Sequence, residues 1–197
     1  MAIGTGGRGS WLGGWALVAV VGATPCAAGT QTDPVVVVQT ADAVGVDARS
    51  LAWAQELATD IYTQAGVSLR WSEDGEDEPD RRLTIVVTSS TALPRGTGSD
   101  AMGVAPTPGD GTRGTLAYVF LDKVTAFAAS HRLTVAHVLA CALAHEIGHL
   151  LLPPNAHRPD GVMRDAWYPA LFPPKAAGVA GFPPDQARLL RLRARRQ

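Results

Sequence analysis

The chain has 197 residues, with 17 Lys and Arg against 18 Asp and Glu, and this balance gives no general electrostatic attraction to nucleic acid or to an anionic membrane. A hydrophobic share of 46% is enough for one globular domain with its own core and excludes a chain that stays disordered. The composition points to a partner that is neutral or of mixed charge, and not to nucleic acid.

The first 28 residues read as an export signal: Arg8 in a short polar lead, an apolar stretch over residues 11–23, then the small residues Cys26, Ala27 and Ala28 before polar Gly29, Thr30 and Gln31. The apolar stretch falls short of the roughly 20 residues that a helix needs to span a bilayer. Cleavage after Ala28 is therefore expected, leaving a domain over residues 29–197 with no stable membrane span and an exported location, secreted or periplasmic. A retained anchor is the alternative. Pro25 stands where lipid-attachment signals carry a small residue, which speaks against a lipid on Cys26. Removing the signal leaves Cys141 as the one remaining cysteine, so the domain has no internal disulfide.

Residues 34–40, Pro34 followed by four valines, Gln39 and Thr40, form a continuous β-branched run of the kind expected for a strand buried on both faces. Residues 47–65 then place Leu51, Ala54, Leu57, Ala58, Ile61 and Tyr62 at helical spacing, and Gly66 ends the pattern. Strands are predicted at 67–71 and 83–88, which makes the helix a crossover between neighbouring strands, expected to be right-handed. The acidic run 73–80 between them lacks the spacing of an EF-hand loop and reads as a solvated turn, with calcium as the alternative. Residues 101–105 suggest a short edge strand, 106–114 a Pro/Gly-rich loop and 115–121 a last strand. The chain becomes helical after Asp122, and a second helix begins near Thr134. A final helix opens at Pro183 and Pro184 and ends in arginines, which suit a helix C-terminus without any polyanion.

The chemistry concentrates in the helix starting near Thr134. His145 and His149 are spaced i and i+4, so one helix face aims two imidazoles at a single ion with Glu146 beside them. The surrounding run from Val135 to Leu152 is apolar until Pro153 and Pro154 stop it, and ionisable groups are costly in such a helix unless something pairs with them. A metal supplies that pairing. A catalytic zinc takes three protein ligands and keeps one position open, and His157, just past the break, is the expected third ligand. Asp160 and Asp165 remain as carboxylate alternatives. Glu146 is the last glutamate in the chain, which removes sites that use a later Glu as ligand. His137 lies about 12 Å along the helix from His145, too far to share an ion, and His131 is no better placed. Cys141, one turn before His145, reads as a small buried hydrophobe rather than a ligand.

The order strand, helix, strand, strand, edge strand, strand, HExxH helix, third His, Met163 and C-terminal helix resembles the metzincin clan of zinc peptidases over nearly the whole domain. It is also similar to exported bacterial proteins in which HExxHLLL is followed by a short turn, a His and Gly-Ile/Val-Met. The clan pattern HExxHxxGxxH places its Gly at Leu152 and its last His at Asn155, so this chain carries two extra residues in the turn. Pro153, Pro154 and Asn155 can turn the backbone instead, since Asn tolerates a left-handed conformation. The resemblance implies an α/β (α+β) fold, a twisted mixed sheet of about five strands on two long helices with a C-terminal helix after the Met-turn. It also implies one catalytic Zn2+ on His145, His149 and His157, Glu146 as general base, and Met163 as the apolar floor beneath the metal. A peptide or protein substrate would lie along the edge strand near Met102 to Ala105. Tyr168 sits further beyond Met163 than the oxyanion-stabilising Tyr of some relatives. The function expected is a secreted zinc-dependent metalloendopeptidase. A catalytically silent zinc-binding or interaction protein of the same fold is the alternative.

Overall fold

The structure, a computed structural model, describes residues 32–72, 82–92, 101–106, 114–165 and 181–196. The stretch read as an export signal, the acidic run 73–80, most of the 106–114 loop, Trp167 and Tyr168 lie outside the described residues. Strand β1 (Val35–Asp42) leads through helix α1 (Ala48–Gln64) to β2 (Ser68–Ser72), and then come β3 (Arg82–Thr88), β4 (Gly103–Val104) and β5 (Leu116–Phe120). Three helices follow: α2 (Leu121–His131), α3 (Val135–Leu151) and α4 (Pro184–Ala194). The five strands form one mixed sheet in the order β2-β1-β3-β5-β4, parallel except for β4, which runs antiparallel to β5 at the edge. This is the α/β architecture expected from the sequence. The edge strand is shorter than the 101–105 run, two residues paired as Gly103 with Val119 and Val104 with Tyr118.

Helices α1 and α3 each start at a side-chain cap. The Asp47 carboxylate accepts from the Ser50 N–H at 2.9 Å to open α1, and the Thr134 hydroxyl accepts from the His137 N–H at 3.3 Å to open α3. Helix α2 ends at Arg132, which takes a left-handed conformation (φ 56°) and so separates α2 from α3. Pro184 begins α4, where a missing N–H costs nothing. The other end of α1 is tied to α4 by the Arg191 guanidinium, whose Nη1 donates to the Ala65 carbonyl at 2.7 Å.

The sheet departs from expectation at β1. Val36 and Val38 are fully buried while Val35 is 52% exposed, so the valine run alternates instead of being covered on both sides. Leu69, Leu83, Ile85, Val87, Ala117 and Val119 share the buried face through the strand register. Helix α1 lies on that face, where Gln55 Nε2 donates to Thr40 Oγ1 at 3.2 Å and Trp71 Nε1 donates to Thr59 Oγ1 at 3.0 Å. β-Branched residues suit a pleated, half-buried surface as well as a fully buried one, so four valines in a row cannot distinguish the two.

Helix α3 is central among the described residues, with 14 of its 17 residues buried. Its alanines let α1 come close, and the Tyr62 hydroxyl, itself fully buried, donates to the Ala144 carbonyl at 3.0 Å. Cys141 is buried in the same packing, and burial pushes its thiol up out of the range where a thiolate forms. Among the described residues, no helix is long and apolar enough to cross a membrane.

Candidate metal centre

Because α3 is buried nearly all round, the turn that carries His145, Glu146 and His149 is fixed before any ion enters. His145 and Glu146 are buried, His149 is half-buried and His157 is exposed on the following loop. The α3 helix stops at Leu151, where the Leu152 N–H still bonds the Gly148 carbonyl at 2.8 Å before the two prolines. Asn155 then adopts φ 61° and brings the chain back, so the longer turn closes through a left-handed asparagine.

The result is a convergence of three ring nitrogens. His145 Nε2 and His149 Nε2 stand 3.0 Å apart, His149 and His157 3.1 Å, and His157 and His145 3.3 Å. Nitrogens held at about 2.0–2.1 Å from one ion at tetrahedral angles stand about 3.3–3.4 Å from each other, so the triangle matches such a site to within a few tenths of an ångström. His145 Nδ1 lies 2.9 Å from the Val162 carbonyl oxygen. A carbonyl can only accept, so Nδ1 carries the proton and Nε2 presents its lone pair to the other two rings. Burial lowers the His145 imidazole to about 4 and His149 to about 3, with the neighbouring rings adding to the shift. Both are neutral near pH 7, the form that binds a metal.

Glu146 is 4% exposed, and burial raises its carboxyl to about 8. Its Oε2 has no hydrogen-bond partner among the described residues. The other oxygen rests against the edge strand: a Cβ added at Gly103 would stand 2.6 Å from Glu146 Oε1 and 2.5 Å from the Tyr118 carbonyl oxygen. Only glycine leaves that room. A glycine inside an apolar edge strand is the one sequence signal that could have marked this contact.

Met163 is fully buried beneath the HExxH turn, and a Cβ at Gly148 would overlap its sulfur. Gly148→Ala therefore sets two effects against each other. Alanine gains about 1 kcal/mol of helix propensity over glycine, while overpacking a buried site costs about 1–3 kcal/mol. A net loss of roughly 1 kcal/mol in denaturant unfolding is expected, and a net gain would show that Met163 has somewhere else to go.

His145, His149 and His157 are the group of metal-binding side chains that the described residues bring together. Asp160, Asp165, His131, His137 and Cys141 stand outside it. His137 instead packs edge-on against Trp53, with ring centroids 5.0 Å apart, and its Nδ1 lies 2.6 Å from Thr134 Oγ1. The Val162 carbonyl that fixes the His145 tautomer is a backbone atom and left no mark in the sequence. No protein-family model matches the chain, and a search of curated proteins finds no similar one. The class is thus defined by fold and site alone: an α/β protein with a three-histidine group able to hold a metal ion.

Proposed function

We propose that this protein is an exported zinc-dependent metalloendopeptidase, with His145, His149 and His157 as metal ligands and Glu146 as the general base. The convergence of the three Nε2 atoms to 3.0–3.3 Å carries the reading. An all-imidazole set of three suits zinc and leaves its full charge uncompensated, which is the property a hydrolytic site needs. When bound, the ion supplies Lewis acidity that polarises a carbonyl and brings a water's pKa toward neutrality.

The chain's own residues do the rest. Val162 holds His145 in the tautomer whose Nε2 carries the lone pair that a metal needs. Glu146 Oε2, buried and without a donor among the described residues, is the atom that accepts the proton of the attacking water and later gives it to the leaving amine. Burial raises this carboxyl to about 8 without a metal, and a cation held on the three histidines would favour the ionised form that a base needs. Strand β4 pairs with β5 on one side and stands last in the sheet order, so its other edge can pair with an extended peptide, directly beside Glu146. Met163 closes the site from below.

The test is metal content and hydrolysis together. Protein purified without a polyhistidine tag is expected to bind about one zinc per chain and to cleave members of a broad peptide library, with cleavage stopped by a chelator and restored by zinc. Stoichiometric zinc with no cleavage anywhere in the library would leave the catalytically silent reading in its place. Absence of bound zinc would remove both.

A further inference from the structure

His157 is the weak member of the triad. Its two companions sit on a buried helix, whereas it is exposed and lies on a loop two residues longer than the HExxHxxGxxH spacing provides. An exposed side chain on such a loop has backbone and rotamer freedom that ligation would have to freeze, unless the loop is already held. Its two neighbours in the chain are both held, and by consecutive residues of one helix.

On one side of it, the Gln186 side chain donates from Nε2 to the Ala156 carbonyl at 2.7 Å. Gln186 is only 3% exposed, and a carbonyl can accept but not donate, so the amide has one orientation. On the other side, the Arg158 guanidinium pairs with Asp185, and the Arg158 N–H bonds the Met163 carbonyl at 2.9 Å. The same stretch ahead of α4 reaches the Met-turn, where the Val162 N–H donates to the Gly181 carbonyl at 3.0 Å. Val162 in turn accepts from His145. The Gln186 Oε1 atom is buried with no partner among the described residues, a cost the position carries in order to keep its donor on Ala156.

We propose that the first turn of α4 is a clasp that sets the third ligand, and that Gln186 is a positioning residue for His157. Its amide fixes the Ala156 carbonyl and hence the backbone from which the His157 ring reaches the other two nitrogens. The half-exposed Arg158–Asp185 pair steadies the far side and contributes less, because water screens it. The inference rests on the metal reading of the triad and assigns to α4 the control of metal affinity.

The experiment measures Co2+ and Zn2+ affinity by competition with a chromophoric chelator, together with the visible absorption of the Co2+ form. Tag-free wild type, Gln186→Met and Gln186→Asn are compared. Methionine keeps the volume without a donor, and asparagine keeps the amide but is one methylene too short to reach Ala156, so it carries the test if the methionine variant does not fold. Removing the groups that orient metal ligands typically weakens binding about 10- to 100-fold, and a loss on the order of tenfold with a changed Co2+ spectrum is expected for either variant. The same substitutions are then made on a His157→Ala background, where they should have no further effect on affinity. Unchanged affinity and spectrum in the single variants would overturn the clasp, and so would an equal loss with and without His157, which would mark a general structural effect. A wild-type protein that takes up neither metal would instead defeat the metal reading itself.

Discussion

Glu146→Gln is expected to retain its metal and lose hydrolysis by roughly 100- to 10,000-fold, the range over which a positioned general base contributes. The substitution keeps the shape of the side chain and removes only the ability to take a proton. Stability should move the other way or not at all. To act as a base Glu146 must ionise at a site 4% exposed, where its Oε2 has no partner among the described residues and burial raises the carboxyl to about 8, and burying a charge without a partner is costly. A neutral amide relieves part of that cost. Loss of activity with equal or higher stability is the signature of a group retained for chemistry at the expense of folding. Measuring kcat/KM, zinc content and the unfolding midpoint on one preparation separates the alternatives. Full activity in the variant would remove Glu146 from the mechanism, whereas loss of zinc would make it a ligand.

The second large effect is on stability itself. Three ring nitrogens held 3.0–3.3 Å apart are organised by the fold, and a metal that binds this state but not the unfolded chain stabilises it by mass action. At a free concentration 1,000 times the dissociation constant the gain is about 4 kcal/mol. For a domain of this size each kcal/mol moves Tm by about 2–4 °C, so saturating zinc should raise Tm by roughly 8–16 °C over the chelated protein. In His149→Ala the increment should largely vanish. His149 is only half-buried, so its truncation should cost the chelated protein little, and the two Tm values of the variant should nearly coincide. A zinc-dependent rise in that variant equal to the wild-type rise would place the stabilising metal at a different site.

The elements nearest the site were the most legible ones. HExxH at helical spacing, an apolar run around it and two prolines after it state a buried helix with a paired His-Glu-His group, because a 3.6-residue repeat and a proline stop are local properties. The β1-α1-β2 unit was legible for the same reason, as a β-branched run, an amphipathic stretch and a glycine. The covering of β1 was not. Val35 and Val36 are the same residue type, and one is half exposed while the other is fully buried, since the difference lies in which side the helices occupy. The α2–α3 break at Arg132 likewise depends on a left-handed residue that sequence preference does not single out.

What the sequence determined alone is the local chemistry: two imidazoles one turn apart with a carboxylate between them, a third imidazole eight residues on, and a methionine after that. Whether the third ring arrives was decided only in three dimensions. A left-handed Asn155 turns the loop, the Val162 carbonyl selects the His145 tautomer, Gly103 leaves space for the Glu146 carboxylate, and Gln186 grips the Ala156 carbonyl from 30 residues away. These are contacts of backbone atoms and of side chains distant in the chain, and their energies depend on positions that only the packed sheet and helices define. Spacing along a helix is written in the order of residues, but convergence across a loop is a property of the folded whole.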